Sequence, residues 1–397
     1  MRVVHVVRQF SPATGGLEET VLNLCREQRI AGCEARVVTL DRVFHGPGTR
    51  LPPSEIVDEI SVARIPYRGS SRYPLAPTVL AHLDADVVHV HGIDYFYDFL
   101  AWTKVAHRRP LIATTHGVFF HTDFARLAKM AYFRTVTRLS TRFYDAVIAC
   151  SESDAELFRT IGRATTVIEN GVNLEKLASR AAKSYRRTII CFGRISSNKR
   201  IDALFPTLRE LNAAPGAAAA PWRLIVAGRS CDVALDALAQ QAARDGVSEH
   251  VSFRENPTDA ELAEMVGEAT YFASSSSYEG FGIAAIEAMS AGLVPILSDI
   301  PPFTKLVRRS GAGVAVDFGQ PQTAARTVMD LESVVRAGRE ALRQRLIASS
   351  SAYSWRDVAR AYIGHYARIC ARRDFERQKR GARLDRVLRA HLPTTRL

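Results

Sequence analysis

Two doubly wound α/β domains are what this sequence predicts, and three observations predict them. The chain has 397 residues, 47% apolar and 24% charged, an ordinary globular composition sized for two or three domains, which excludes a disordered, collagen-like or coiled-coil chain. Short β-branched runs recur along its first half, with amphipathic segments between several of them. A second such series follows a polar basic stretch. Apolar strands alternating with helical patterns read as βαβ units whose parallel sheets are buried on both faces.

Taken in order, the first series is 2–7, 87–91, 111–115, 146–150 and 165–168, each run rich in Val, Ile, Leu, Ala or Thr and too short for a buried helix. The second is 188–192, 223–227, 251–254, 271–274, 294–298 and 313–316. Between the two, Asn170-Gly171 is a turn signal and 183–187 is polar and basic, so the boundary is expected near residue 183. The predicted domains are 1–182, 183–352, and a closing segment 353–397. Its stretch 355–369 has the spacing of an amphipathic helix that returns to pack on the first domain. The run 213–221, rich in Ala with Pro and Gly, reads as a surface connection.

Lys and Arg number 53 against 41 Asp and Glu, a net charge of +12. The expected partner is therefore phosphorylated, nucleic-acid-like or an anionic membrane surface. After Ala367 the tail carries ten basic residues against three acidic ones, +7 of that total. The region 124–143 has a helical pattern with Arg134, Arg138 and Arg142 on one side and Tyr132, Val136, Leu139 and Phe143 around another. Two readings stay open there: a helix in the interface of an anionic bilayer, or a core helix with a solvated basic face.

Six scattered cysteines, with no Cys-x-x-Cys and no histidine cluster at metal-ligand spacing, give neither a zinc site nor a disulfide framework. The apolar run at the N-terminus is ended by Arg8, and no stretch approaches the roughly 18 apolar residues of a spanning helix. A cytoplasmic protein lying on the inner face of the membrane is expected.

The segment 276–289, SSYEGFGIAAIEAM, passes from a strand end through a glycine-flanked turn into an alanine-rich helix, with carboxylates at Glu279 and Glu287. Its glycines let backbone N–H groups approach a ligand, and the helix N-terminus favours negative charge, so a phosphate-bearing ligand suits the turn. Read alone, the segment also fits a dipole-complementing Glu279 and a solvated Glu287. Arg194 follows the strand 188–192 and Lys199 comes five positions later, at the strand end where doubly wound sheets bind ligands. Two cations there suit an anionic ligand; the alternative reading is two solvated basic residues on a loop. His116 ends the run 111–115 just before Gly117, and Gly15-Gly16 follows the first strand.

These residues together resemble retaining glycosyltransferases of family 4, with the GT-B fold. The shared features are Glu279, seven intervening residues and Glu287 with Gly-Phe-Gly inside; Phe10 to Gly16; Thr115-His116-Gly117; Gly193-Arg194 with Lys199; and Asn170-Gly171-Val172, where Asn173 replaces the more usual Asp. The segments 39–44, 67–74, 91–98 and 282–302 resemble one branch, the α-mannosyltransferases of xanthan and acetan assembly, which move mannose from GDP-mannose to cellobiosyl-diphosphopolyprenol.

The resemblance implies two Rossmann-like domains facing a central cleft, with the acceptor on the first and the nucleotide sugar on the second. It gives His116 and Glu279 catalytic roles at the sugar. It gives donor binding to Gly15, Gly16, Arg194, Lys199, Gly280, Phe281 and Gly282, with Glu287 at the ribose. No Asp-x-Asp follows a strand, which agrees with a metal-independent reaction needing no cofactor. The partners implied are GDP-mannose, a polyprenyl-diphosphate-linked glycan and an anionic membrane, with no nucleic acid. The alternatives are a family 4 enzyme using another donor such as UDP-glucose, a non-catalytic nucleotide-sugar-binding scaffold, and a nucleic-acid-binding protein. Steep salt dependence without GDP competition would mark the last of these.

Overall fold

The computed structural model describes residues 1–44, 48–71, 73–117, 126–279 and 281–391. Gly280, Phe124 and Arg396 lie outside the described residues, as do the side chains of Arg377, Arg380, Arg383, Arg386 and Arg389. The chain forms two compact units, Met1–Gly171 with Trp355–Leu397, and Val172–Ser354.

The sheet of the first unit is built from β1 (Arg2–Val6), β2 (Glu34–Leu40), β3 (Ser54–Val57), β4 (Ile60–Ile65), β5 (Val87–His91), β6 (Leu111–Thr114), β7 (Ala146–Ala149) and β8 (Thr166–Val167). Their spatial order is β3-β4-β2-β1-β5-β6-β7-β8. Five of these are the expected runs. The other three, β2 to β4, form one edge, and β3 runs antiparallel to β4. The β3–β4 hairpin closes through Asp58 and Glu59, at φ 48° and 62°, a turn conformation usually signalled by Asn-Gly and here made by two acidic residues.

Successive strand residues feed two cores, as a sheet covered on both faces requires. Val4, Val6, Val88 and Val90 pack with Phe96, Tyr97 and Phe133 on one side. Val3, Val87, Ile112 and Ile148 pack on the other with Leu24 and with Val358, Tyr362, Tyr366 and Ile369. The last four belong to the helix Trp355–His391, which covers the first sheet as expected. Burying each such side chain contributes roughly 1.5–3 kcal/mol. A Cβ at Gly171 would come within 2.3 Å of the Trp355 ring, so the start of this helix needs glycine there.

The second unit is a sheet of β9 (Thr188–Ile195), β10 (Arg223–Ser230), β11 (Val251–Glu255), β12 (Tyr271–Ser274), β13 (Val294–Ser298) and β14 (Val314–Val316). All are parallel, in the order β11-β10-β9-β12-β13-β14. The boundary falls at Val172, not near residue 183. Leu177 is fully buried in the second core, and the N–H groups of Ser179, Ala181 and Ala182 donate to Ser290 O, Ala291 O and Ala269 O at 3.0, 3.0 and 3.1 Å. Residues 172–182 are therefore tied by backbone bonds to the unit they precede. Tyr353 is likewise buried there, moving the later boundary from 353 to 355.

Candidate functional site

In the second unit, β9 and β12 carry the signature residues to one edge of the sheet. Gly193 has φ +133°, and a Cβ at Gly228 would lie 1.8 Å from Gly193 O, so the two strands need glycine to pair this closely. Beyond β9, Arg200 takes a left-handed φ of 44°, a strained conformation for a side-chain-bearing residue. Ser275 holds that turn, its Oγ donating to Lys199 O at 3.0 Å and Arg200 O at 2.7 Å.

Lys199 is thereby set against the Glu279 carboxylate, and Nζ is ion-paired to Oε1. Ser276 Oγ donates to the same oxygen at 2.8 Å, and Ser276 O is in turn fixed by Ser298 Oγ at 2.6 Å. An ammonium has three donors, so this pair does not exhaust Lys199. Gly193, Arg194, Lys199, Phe272, Ser274 and Ala284 line one small pocket. The Arg194 side chain is exposed at its edge. Nearby, Asp232 is held below the usual carboxylate range by the Ser197 hydroxyl, with a smaller contribution from the Arg194 charge.

The other signature positions have local explanations. Gly282, at φ +84°, precedes the helix Ile283–Ala291, and a Cβ on it would meet the Phe303 ring at 2.7 Å. Phe281 packs edge-on against Tyr353 at 5.5 Å. Glu287 is half-buried on the helix.

In the first unit, His116 follows β6 with φ 51°, and Gly117 follows at φ 80°. Asp154 clamps this turn from both sides. Its Oδ2 accepts from Thr115 Oγ1, from Gly117 N at 3.0 Å and from Cys150 Sγ at 3.2 Å. Ser151 caps the helix that carries Asp154, accepting from Asp154 N at 3.1 Å. His116 Nε2 lies 2.8 Å from His91 Nδ1 at the end of β5. Burial lowers the His116 pKa to about 4 against the opposing pull of Asp154, so the ring is neutral at pH 7. Gly15 and Gly16 open the helix Gly16–Ile30. Gly15 is fully extended, and a Cβ built on it would run into the Glu18 carboxylate; no protein atom lies within 4 Å of a Cβ built on Gly16, so packing does not demand glycine at that position.

The expectation of no histidine cluster is corrected. His5, His89 and His91 place ligand-capable atoms within 4.8 Å of one another. All three are buried. The sequence reading also missed Asp154, Ser275 and Ser276. The signal for the histidines was present, since three polar residues sit inside otherwise apolar strands.

Arg134, Arg138 and Arg142 are exposed on a helical stretch running from Arg126, with a π-helical turn at Phe133–Thr137. Leu127, Leu139 and Phe143 on the same stretch are 88%, 52% and 41% exposed. Among the described residues no helix is long and apolar enough to cross a membrane.

Two family models match, Glycosyltransferase Family 4 over residues 14–176 and Glycosyl transferases group 1 over residues 174–348. The chain is 45% identical to a GDP-mannose:cellobiosyl-diphosphopolyprenol alpha-mannosyltransferase of Komagataeibacter xylinus, over 94% of each protein. It is 46% identical to the protein of that name from Xanthomonas campestris, over 92% of this chain and 96% of the other. Among solved structures, Anabaena HepE in complex with UDP matches with a TM-score of 0.67 at 19% identity, covering 92% of this chain and all of that one.

Proposed function

The chain belongs to glycosyltransferase family 4, and from that premise we propose that it is a retaining α-mannosyltransferase, moving mannose from GDP-mannose to cellobiosyl-diphosphopolyprenol in exopolysaccharide assembly. The observation that carries this is identity of 45% over 94% of the chain to a relative named for that reaction. Such identity spans both units, whereas a shared fold leaves donor and acceptor open.

Arg194 and Lys199 are assigned to the donor diphosphate, the guanidinium gripping two oxygens and the ammonium adding a point charge. With two cations assigned to the diphosphate, this reading calls for no metal ion. The C1–O bond to the diphosphate breaks with its electron pair passing to the departing phosphate oxygen. The acceptor hydroxyl oxygen bonds C1 on the same face and gives its proton to that phosphate oxygen, so the α configuration is kept. Glu279 is assigned to the sugar hydroxyls and Glu287 to the ribose. His116, uncharged at neutral pH, is assigned to the sugar, where a neutral imidazole does not oppose positive charge at C1. Gly15 and Gly16 are assigned to phosphate or acceptor beside a helix N-terminus, with open space at Gly16.

The exposed arginines, the apolar residues beside them and the basic tail support peripheral attachment to an anionic inner membrane face, where a polyprenyl-linked acceptor resides. The test offers a panel of labelled nucleotide sugars with lipid-linked cellobiose. Transfer from GDP-mannose and an α-mannoside by NMR are expected. Transfer from UDP-glucose with none from GDP-mannose, or a β-mannoside, would sink the assignment.

A further inference from the structure

Behind His116 a hydrogen-bonded line of buried side chains runs into the core of the first unit. His91 Nε2 lies 2.9 Å from His5 Nδ1, and His5 Nε2 lies 2.8 Å from the Gln28 carboxamide oxygen. From the other end of that carboxamide, Nε2 donates to Tyr366 OH at 3.1 Å, and Tyr366 OH lies 2.7 Å from His89 Nδ1. His89 Nε2 is 2.7 Å from Thr114 Oγ1. All six ring nitrogens of His5, His89 and His91 therefore have partners within 2.7 to 2.9 Å. That is hydrogen-bond spacing, and it describes a network in place of a cation site.

The direction of the network follows from chemistry. A hydroxyl can rotate and a neutral imidazole can exchange tautomers, but a carboxamide has one end that only accepts and one that only donates. Gln28 Oε1 requires the proton of His5 on Nε2. Burial lowers the pKa of His5 to about 4 and that of His91 well below its ordinary value, so both rings are neutral at pH 7. His5 Nδ1 is then bare and accepts from His91 Nε2–H. His91 Nδ1 is bare in turn and accepts from His116 Nε2–H. On the other side, Tyr366 gives its proton to His89 Nδ1, and His89 Nε2–H donates to Thr114. Every bond points the same way along the line.

We propose that Gln28, acting through His5 and His91, is a positioning residue that fixes His116 in the Nε2–H tautomer, so that Nδ1 presents a lone pair to a hydroxyl of the substrate. His116 thus acts as an acceptor toward the sugar. The turn that Asp154 clamps sets where the ring is, and Gln28 sets which nitrogen carries the proton. The catalytic consequence rests on the assignment of His116 to the donor sugar, whereas the tautomer itself does not.

The experiment is long-range proton–nitrogen NMR on the full chain with nitrogen-15 histidine at pH 7, the His116 signals assigned by their loss in His116→Gln. A single Nε2–H tautomer is expected. In Gln28→Leu the His116 ring should become a mixture of tautomers, with kcat lowered about 10-fold and GDP affinity unchanged. Tyr366→Phe disturbs the same core but leaves the Gln28 oxygen on His5, so it should keep the wild-type tautomer and kcat within about 3-fold. An Nδ1–H tautomer in the wild type, an unchanged tautomer in folded Gln28→Leu, or equal effects of the two variants would overturn the proposal. The two readings fail separately. A wild-type Nδ1–H ring overturns the tautomer relay whatever the turnover, while a wild-type rate in His116→Ala overturns the catalytic assignment and leaves the tautomer as measured.

Discussion

Lys199 and Glu279, 80 positions apart, form an ion pair at the edge of the second sheet, with side chains only 21% and 14% exposed. The pair makes the proposed diphosphate cation and the proposed sugar-binding carboxylate depend on each other. Glu279→Gln should lower kcat about 100-fold while GDP affinity stays within about 3-fold, because the ammonium keeps its charge. Lys199→Ala should weaken GDP binding about 10- to 100-fold and lower kcat as well, since Glu279 loses its partner. In a double-mutant cycle the two effects should fall short of additive. Additivity within about 0.5 kcal/mol would mean that the two residues act independently and the ion pair does not couple them.

Arg194 offers a planar fork at the mouth of the same pocket. Arg194→Ala should weaken GDP about 10-fold, and Arg194→Lys should recover only part of that, since an ammonium cannot grip two oxygens in plane. Turnover in EDTA should match turnover without it. Unchanged GDP affinity measured by calorimetry, or an absolute requirement for added magnesium or manganese, would remove Arg194 from the donor site.

Asp154 ties together the two residues that flank His116. Asp154→Ala leaves the Thr115 hydroxyl and the Gly117 N–H without their acceptor, at a cost of about 1–3 kcal/mol each if both stay buried. The urea midpoint should fall, and kcat should fall in the surviving folded protein. Thr115→Val removes one bond and should cost less. A wild-type kcat in folded Asp154→Ala would show that the turn holds itself.

The buried imidazoles give the first unit an acid-sensitive core. The pKa values of His5 and His116 are lowered by burial from 6.5 to about 4, and those of His89 and His91 are lowered well below 6.5. Between pH 6.5 and 4 the unfolded chain binds protons that the folded chain refuses, so stability is lost as pH falls through that window, by up to about 1.4 kcal/mol per pH unit for each group. Asp94 acts in the opposite sense, since burial raises its carboxyl to about 6. It offsets part of the loss. Urea midpoints should therefore fall from pH 7 to pH 5, and a flat profile would mean the histidines are accessible to protons.

Membrane attachment should depend on charge. Binding to vesicles containing anionic lipid should weaken with added salt, and Arg134→Glu with Arg138→Glu and Arg142→Glu should reduce it about 10-fold or more, given about 1 kcal/mol per basic residue near the surface. Equal recovery on neutral and anionic vesicles would discount a role for these arginines.

Much of the architecture was legible because strand burial on two faces writes itself into short apolar runs, and ten of the eleven predicted runs of this kind overlie strands of at least three residues. The missing edge, β2 to β4, was hidden by chemistry of a different kind. Asp58-Glu59 makes a turn that its residue types do not announce, and β3 is exposed or half-exposed throughout, so it lacks the apolar run that marks a buried strand. The boundary near residue 183 failed because the polar basic stretch 183–187 reads as the junction, while the N–H groups of Ser179, Ala181 and Ala182 just before it are bonded into the second unit.

The sequence by itself determined the two doubly wound units, the glycine turns and the basic and acidic residues at strand ends, since these depend on neighbours along the chain. It could name Lys199, Glu279 and His116 but not what each one touches. Only the tertiary structure decided that Lys199 meets Glu279, that Asp154 clamps the His116 turn, and that Gln28 reaches His116 through two buried imidazoles. The reason is that strand order and helix packing choose the partners of side chains. A parallel sheet sets His5 beside His89 across a separation of 84 residues, and local pattern carries no record of which strand will lie next to which.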